Sequence, residues 1–292
     1  MMVIFLGFMS DSFFTLDNIF NLLRQISVNA LIAFGMTFVI LTAGIDLSVG
    51  SLLALGSALT AGLLAGGMDP VLAILLGLLI GLGLGAVNGL IITKGKVAPF
   101  IATLATMTIY RGATLVYTDG RPITGLSDSF AFEMIGRGYV FGIPFPVILM
   151  LAVFLILYFV LRKTVFGRQV YAVGGNEEAS ILSGIKADRV KIGVYSLTGM
   201  LSVLAGIILT SRLNSAQPTA GEMFELDAIA AVVIGGTSLM GGRGRITGTL
   251  IGALIIGVID NGLNLMNVSS FYQQIVKGGV ILLAVLLDRK SK

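Results

Sequence analysis

The sequence predicts an all-α, polytopic transmembrane helical bundle, and three observations carry that expectation. Of its 292 residues 56% are hydrophobic and only 12% charged, where a soluble domain has about a quarter charged. Apolar runs approaching the ~20 residues that a bilayer core demands recur along the whole chain. Glycine contributes 39 residues, about twice the usual share, as expected where helices approach closely in lipid. The same composition excludes other classes. Without Cys there is no disulfide framework, thiolate nucleophile or iron–sulfur site, and without His the commonest general base and metal ligand are missing. An enzyme is therefore not expected, and no cofactor or metal is implied for this chain. The net charge of +4 comes from loop cations and does not point to nucleic acid.

Taken in order, residues 1–8 are apolar but too short to span, and they lack the basic leader and small-residue cleavage site of a signal peptide. They read as the tail of a first span whose beginning is missing. Residues 10–25 mix Phe20, Leu22 and Leu23 with Asp17, Asn21 and Arg24, which predicts a helix lying in the membrane interface. The first full run covers 28–45 and meets the second, 52–64, at Ala43-Gly44-Ile45-Asp46-Leu47-Ser48-Val49-Gly50-Ser51. An acid between glycines at such a junction predicts a broken or re-entrant helix near Asp46. Met68-Asp69-Pro70 makes a turn into a third span at 71–92, which contains Asn88, and Lys94 and Lys96 follow in a basic loop. A fourth span at 98–117 carries Arg111 towards its far end, and a polar stretch at 119–144 precedes the run at 145–161. Beyond the charged segment come 192–213, a polar turn at 214–219, and a short run at 226–240 with a second broken or re-entrant helix near Asp227. The runs 246–259, followed by Asp260 and Asn261, and 271–287 complete nine full spans. With the truncated first, about ten spans form a single transmembrane domain over residues 1–292.

Segment 162–191 is the longest charged loop. Arg162, Lys163, Arg168, Lys186, Arg189 and Lys191 gather there with Glu177, Glu178 and Asp188. Gly174-Gly175-Asn176 breaks the chain, 177–183 reads as a short helix with acids in its first turn, and Gly184 suits its end. It is either a docking surface or an ordinary solvated connector. Lys/Arg clusters mark the cytoplasmic side of a membrane protein. Alternation then places this loop, Lys94, Lys96, Arg243, Arg245 and the C-terminal tail inside, roughly two thirds of all Lys and Arg.

Asp46, Asn88, Arg111, Asp227, Asp260 and Lys277 lie in or beside apolar runs. A charge at the bilayer centre costs about 2.5–3.5 kcal/mol on insertion scales, so each needs a cavity, a partner or the interface. Asp46, Asn88, Asp227, Asp260 and Asn261 are candidates to line a hydrated pathway, although interhelical pairing explains any single one more simply. The segments from Ala43 and from Gly235 both join a small-residue turn to a glycine-spaced helix, a weak sign of parallel duplication. Gly244, Gly248 and Gly252 open one helix face for packing. The phosphate loop G-x-x-x-x-G-K-[ST] is absent, so no nucleotide is expected to bind here. No filter-like repeat or arginine series points to an ion channel.

The blocks AGIDLSVGS, APFIATLATMTIYRG, YAVGGNEEASILSGIK, SAQPTAGEMFELDAIAAVVIGGTSLMGGRGRITGTLIGALIIG and NVSSFYQQIVKGGVILLAVL together closely resemble the membrane permease of ribose-type ABC sugar importers. The resemblance runs from about Asn18 onward. It implies a bacterial inner-membrane permease that pairs with a second copy, a cytoplasmic ATPase holding ATP and Mg, and an extracytoplasmic sugar-binding protein. It also implies that the central loop holds the E-A-A-x-x-x-G coupling helix of such importers. Glu178-Ala179-Ser180 followed at the right spacing by Gly184 fits, with Ser180 in place of the second Ala and the downstream Leu-Pro missing. Gly174, Gly175, Asn176, Glu177, Glu178, Ala179 and Gly184 are therefore the expected ATPase-coupling residues. The rival expectation is a stand-alone secondary transporter driven by an ion gradient, with Asp46, Asp227 or Asp260 as its coupling carboxylate.

Overall fold

The computed structural model describes residues 12–126 and 129–290. The apolar stub at 1–8 lies outside them, as do the last two residues of the basic tail. Helix starts follow from local chemistry. Thr15 caps α1 (Leu16–Leu41), accepting from the Asn18 amide at 3.4 Å, and Asp69 caps α3 (Pro70–Thr93), accepting from Leu72 at 3.0 Å with Pro70 in the first turn. Proline also opens α4 (Pro99–Thr118) and α6 (Phe145–Lys163), where its missing N–H costs nothing. Between α1 and α3 lies α2 (Val49–Ala65). After α6 come α7 (Val165–Gly175), α8 (Glu177–Leu182), α9 (Ala187–Leu213), α10 (Phe224–Ile234), α11 (Ile246–Leu265) and α12 (Ser270–Lys290). Between α4 and α6 lie the short α5 (Phe130–Arg137) and a hairpin of β1 (Tyr139–Val140) and β2 (Ile143–Pro144). Among the described residues the fold is all-α apart from this hairpin and one isolated bridge.

Five helices among the described residues are long and apolar enough to cross a membrane: α1, α3, α6, α9 and α11. They pack around α1, whose residues Ala30 to Leu41 are all buried, with α9, α10, α11 and α6 against it. The most extensive seam joins α3 to α9. Gly81, Gly85 and Gly89 recur every fourth residue on α3, and a Cβ on Gly85 would lie 2.2 Å from the Tyr195 carbonyl oxygen. Any larger residue there would push the two helices apart.

Two expectations change. The segment at 10–25 is not a separate interfacial helix: its described part runs without a break into α1. No Gly or Pro interrupts residues 16–34, and two of the polar side chains, Asn18 and Arg24, meet partners within the protein. Asn18 pairs with Asn261, and the Arg24 guanidinium sits 4.7 Å from the Tyr139 ring centre. The run at 226–240 is helical only over the 11 residues of α10, about 16 Å at helical rise and half of a bilayer core. Gly235 and Gly236, the latter at φ +82°, end it, and irregular backbone leads on to α11. At the end of the bundle away from α8, the loops after α4 and α9 are stitched together. Ile123 and Ala216 exchange backbone hydrogen bonds of 3.0 and 2.9 Å.

Candidate coupling surface and buried polar groups

The charged segment is more helical than a loop. α6 runs on to Lys163, Thr164 caps α7, and Gly174 and Gly175 are its last turn, so the chain breaks only at Asn176. Asn176 then caps α8: its Oδ1 accepts from the Ala179 amide at 2.9 Å. At the other end Gly184 adopts φ +84°, and the amides of Gly184 and Ile185 donate back to Ile181 and Ser180 at 2.9 and 3.0 Å. This is a Schellman closure, which a residue with a Cβ enters only under strain. Lys191 of α9 donates to both Glu177 oxygens at 2.7 and 2.6 Å and anchors the inner side of α8. Glu178, Ala179, Ile181 and Leu182 face outward, Leu182 with 89% of its surface exposed. A short rigid helix thus presents one carboxylate and two aliphatic side chains with no cover from this chain.

The root of that helix is fixed differently. A Cβ on Gly174 would fall 1.6 Å from the Leu41 carbonyl oxygen at the end of α1. The same oxygen accepts from the Gly242 amide at 2.9 Å, and Gly241 and Gly242 have φ of +82° and +69°. Three distant backbones, α7, α1 and the α10–α11 connection, therefore touch directly. Leu41, Gly241 and Gly242 are members of this arrangement that the sequence reading did not assign to it, and Lys191, read only as one of the loop's cations, is the partner of Glu177. The pair Gly241-Gly242 was the available signal, but its partner could not be read from spacing. Of the glycines expected to open a helix face, Gly248 and Gly252 do so, against the Gly235 and Ala231 backbone of α10. Gly244 lies ahead of α11 and packs on Thr237.

The five expected pathway residues fall into two sets. Asp46 lies in the non-helical junction of α1 and α2 and is fully buried with Asn88. Its Oδ1 accepts from the Ser48 amide at 2.9 Å and the Ser48 hydroxyl at 2.6 Å, Asn88 donates to Ser48 Oγ at 2.7 Å, and Tyr110 donates to Asn88 at 3.2 Å. In the second set Lys277 of α12 bridges Asp227 of α10 at 2.9 Å and Asp260 of α11 at 3.0 Å. Asn261 exchanges amide hydrogen bonds with Asn18 at 2.9 and 3.1 Å. Asp227 and Lys277 also border a cavity of about 390 Å³ whose other polar lining includes Glu222, Gln273 and Gln274. No hydrogen bond or ion pair joins the two sets among the described residues. Arg111, the remaining in-span charge, donates to the Pro218 and Ala220 carbonyls at 2.7 and 2.9 Å and ties α4 to the loop after α9.

Helices of spanning length, buried polar groups largely matched within the chain and an exposed capped helix at one end define a multi-pass membrane protein. No group of acids able to hold a metal is found among the described residues. The family model for the branched-chain amino acid transport system / permease component matches residues 18–285, and the chain belongs to that family. It is 68% identical over 290 residues to the ribose import permease protein RbsC of Bacillus subtilis (strain 168), covering 99% of this chain and 90% of that protein. It is 56% identical over 286 residues to RbsC of Escherichia coli (strain K12), covering 97% and 89%. Identity to the D-allose transport system permease protein AlsC of Escherichia coli (strain K12) is 46% over 280 residues, covering 96% and 85%. No solved structure matches the chain significantly.

Proposed function

We propose that this chain is the membrane permease of an ATP-binding cassette importer for ribose or a similar monosaccharide in a bacterial plasma membrane. The identity to ribose import permeases exceeds that to the allose permease, which supports the pentose ribose over the hexose. Residues 1–292 form one transmembrane domain of about ten passages. Loop 162–191 and the C-terminus face the cytoplasm. Two copies pair to enclose the pathway, with Asp46, Asn88, Asp227, Asp260 and Asn261 as its candidate polar residues. A binding protein delivers sugar to the joined outer loops, and a separate ATPase grips α8. The observation that carries the coupling role is α8 itself, capped at both ends, exposed at its tip and braced at its root.

When the ATPase closes, displacement of α8 is transmitted through Gly174 to α1 and to the α10–α11 connection. The packed core makes that response a rigid shift rather than a local bend. The ion-coupled alternative is weaker at Asp227 and Asp260, because one ammonium already holds both. Reconstitution of the chain with its ATPase and binding protein in proteoliposomes tests the reading. Glu178→Ala is expected to uncouple ATP hydrolysis from ribose uptake while membrane insertion stays normal. Normal coupling in that variant removes the docking role, and uptake by the chain alone removes the importer reading.

A further inference from the structure

We propose that the cavity between α6, α7 and the start of α11 binds the phosphate headgroup of an anionic phospholipid. The cavity, of about 510 Å³, is lined by Tyr158 and Arg162 from α6, Arg168 and Tyr171 from α7, and Arg245 and Thr247 at the head of α11. Three exposed arginines line this one space, and none takes part in the five ion pairs found among the described residues. Lys94, Lys191 and Lys277 all have carboxylate partners; these arginines have none. A cavity that gathers unmatched positive charge is completed by an anion, and planar guanidinium groups suit phosphate oxygens.

The remaining contacts hold the site open. Arg162 donates to the Tyr158 hydroxyl and lies 5.6 Å from its ring centre, which aims the guanidinium along α6. Tyr171 donates to the Gly244 carbonyl at 2.8 Å and pins the strand of chain that leads into α11. Arg245 gives that helix no side-chain cap, and its carbonyl takes the Gly248 amide at 3.0 Å.

The anion's source follows from the walls above the cavity. Leu155 and Leu151 lie one and two turns before Tyr158 on α6 and are 62% and 43% exposed. Ile251, one turn beyond Thr247 on α11, is 59% exposed. α6 and α11 pack against each other, so these side chains flank a groove that rises from the arginines. A free phosphate uses the arginines alone, whereas a phospholipid also covers the aliphatic stripe with its chains. Basic pockets beside membrane helices at the headgroup level suit such lipids.

The test is native mass spectrometry of the protein from phosphatidylcholine nanodiscs doped with phosphatidylglycerol. One phosphatidylglycerol is expected to be retained in preference to phosphatidylcholine. The triple variant R162Q/R168Q/R245Q is expected to lose that preference at least about tenfold, and Lys163→Gln, beside the cavity, to keep it. If the triple variant fails to fold, each single substitution is expected to lower retention about threefold. Equal retention of phosphatidylcholine, an unchanged variant, an equal loss in Lys163→Gln, or displacement of the lipid by inorganic phosphate overturns the proposal.

Discussion

The two ends of residues 174–184 are built on opposite principles. At Gly174 the backbone is wedged against Leu41 and Gly242 with no room for one more carbon atom. At Leu182 almost the whole side chain stands in the open. Between them, α8 is locked by an asparagine cap, a salt bridge and a left-handed glycine. A lever has the same requirements: a fulcrum that does not yield, a stiff arm and a tip that something else can hold. The comparison therefore separates residues whose loss unfolds the protein from residues whose loss silences it.

The largest effect is expected at the root. Gly174→Val drives side-chain atoms into the Leu41 carbonyl and breaks the bond from Gly242, at a cost of about 3 kcal/mol or more. Thermal unfolding in detergent should show a large drop in Tm, and an unchanged Tm would dissolve the distinction between the two ends. At the tip, Leu182→Asp should leave Tm alone yet weaken ATPase binding about thirtyfold, as loss of a central interface anchor does. Co-purification against increasing ATPase concentration measures it.

Smaller effects probe the arm. Gly184→Ala places a Cβ at φ +84°, costing about 1 kcal/mol. With no atom near that Cβ, the loss is conformational, and Gly184→Asn should recover part of it. Glu177→Gln removes the partly exposed bridge to Lys191, worth at most about 1 kcal/mol. Its effect on Tm should fade as salt is raised, and a salt-independent loss would mean that Glu177 acts through packing instead.

The arm was legible in the sequence because its signals are local. Asn176, two acids, and Gly184 lie within nine residues, and the observed helix, Glu177–Leu182, stops one residue short of the expected end. The fulcrum was not, because its three glycines gain meaning only when α1 and the α10–α11 connection arrive from elsewhere in the chain. The same reason hid the continuity of α1: Asn18 and Arg24 look like interfacial residues until Asn261 and Tyr139 supply their partners. Lys277 in an apolar run signalled that a counter-charge was needed, but two carboxylates on different helices qualified and the structure uses both.

That shared ammonium leaves one negative charge over, and Glu222 lines the same cavity. The recess beside α12 thus sets more carboxylates than ammonium groups near its wall. Were the proposed pathway to pass it, an uncharged sugar would meet no electrostatic penalty, while a phosphorylated one would face like charge. Selection against phosphorylated sugars would then lie in the wall itself, independent of whatever hands the cargo over.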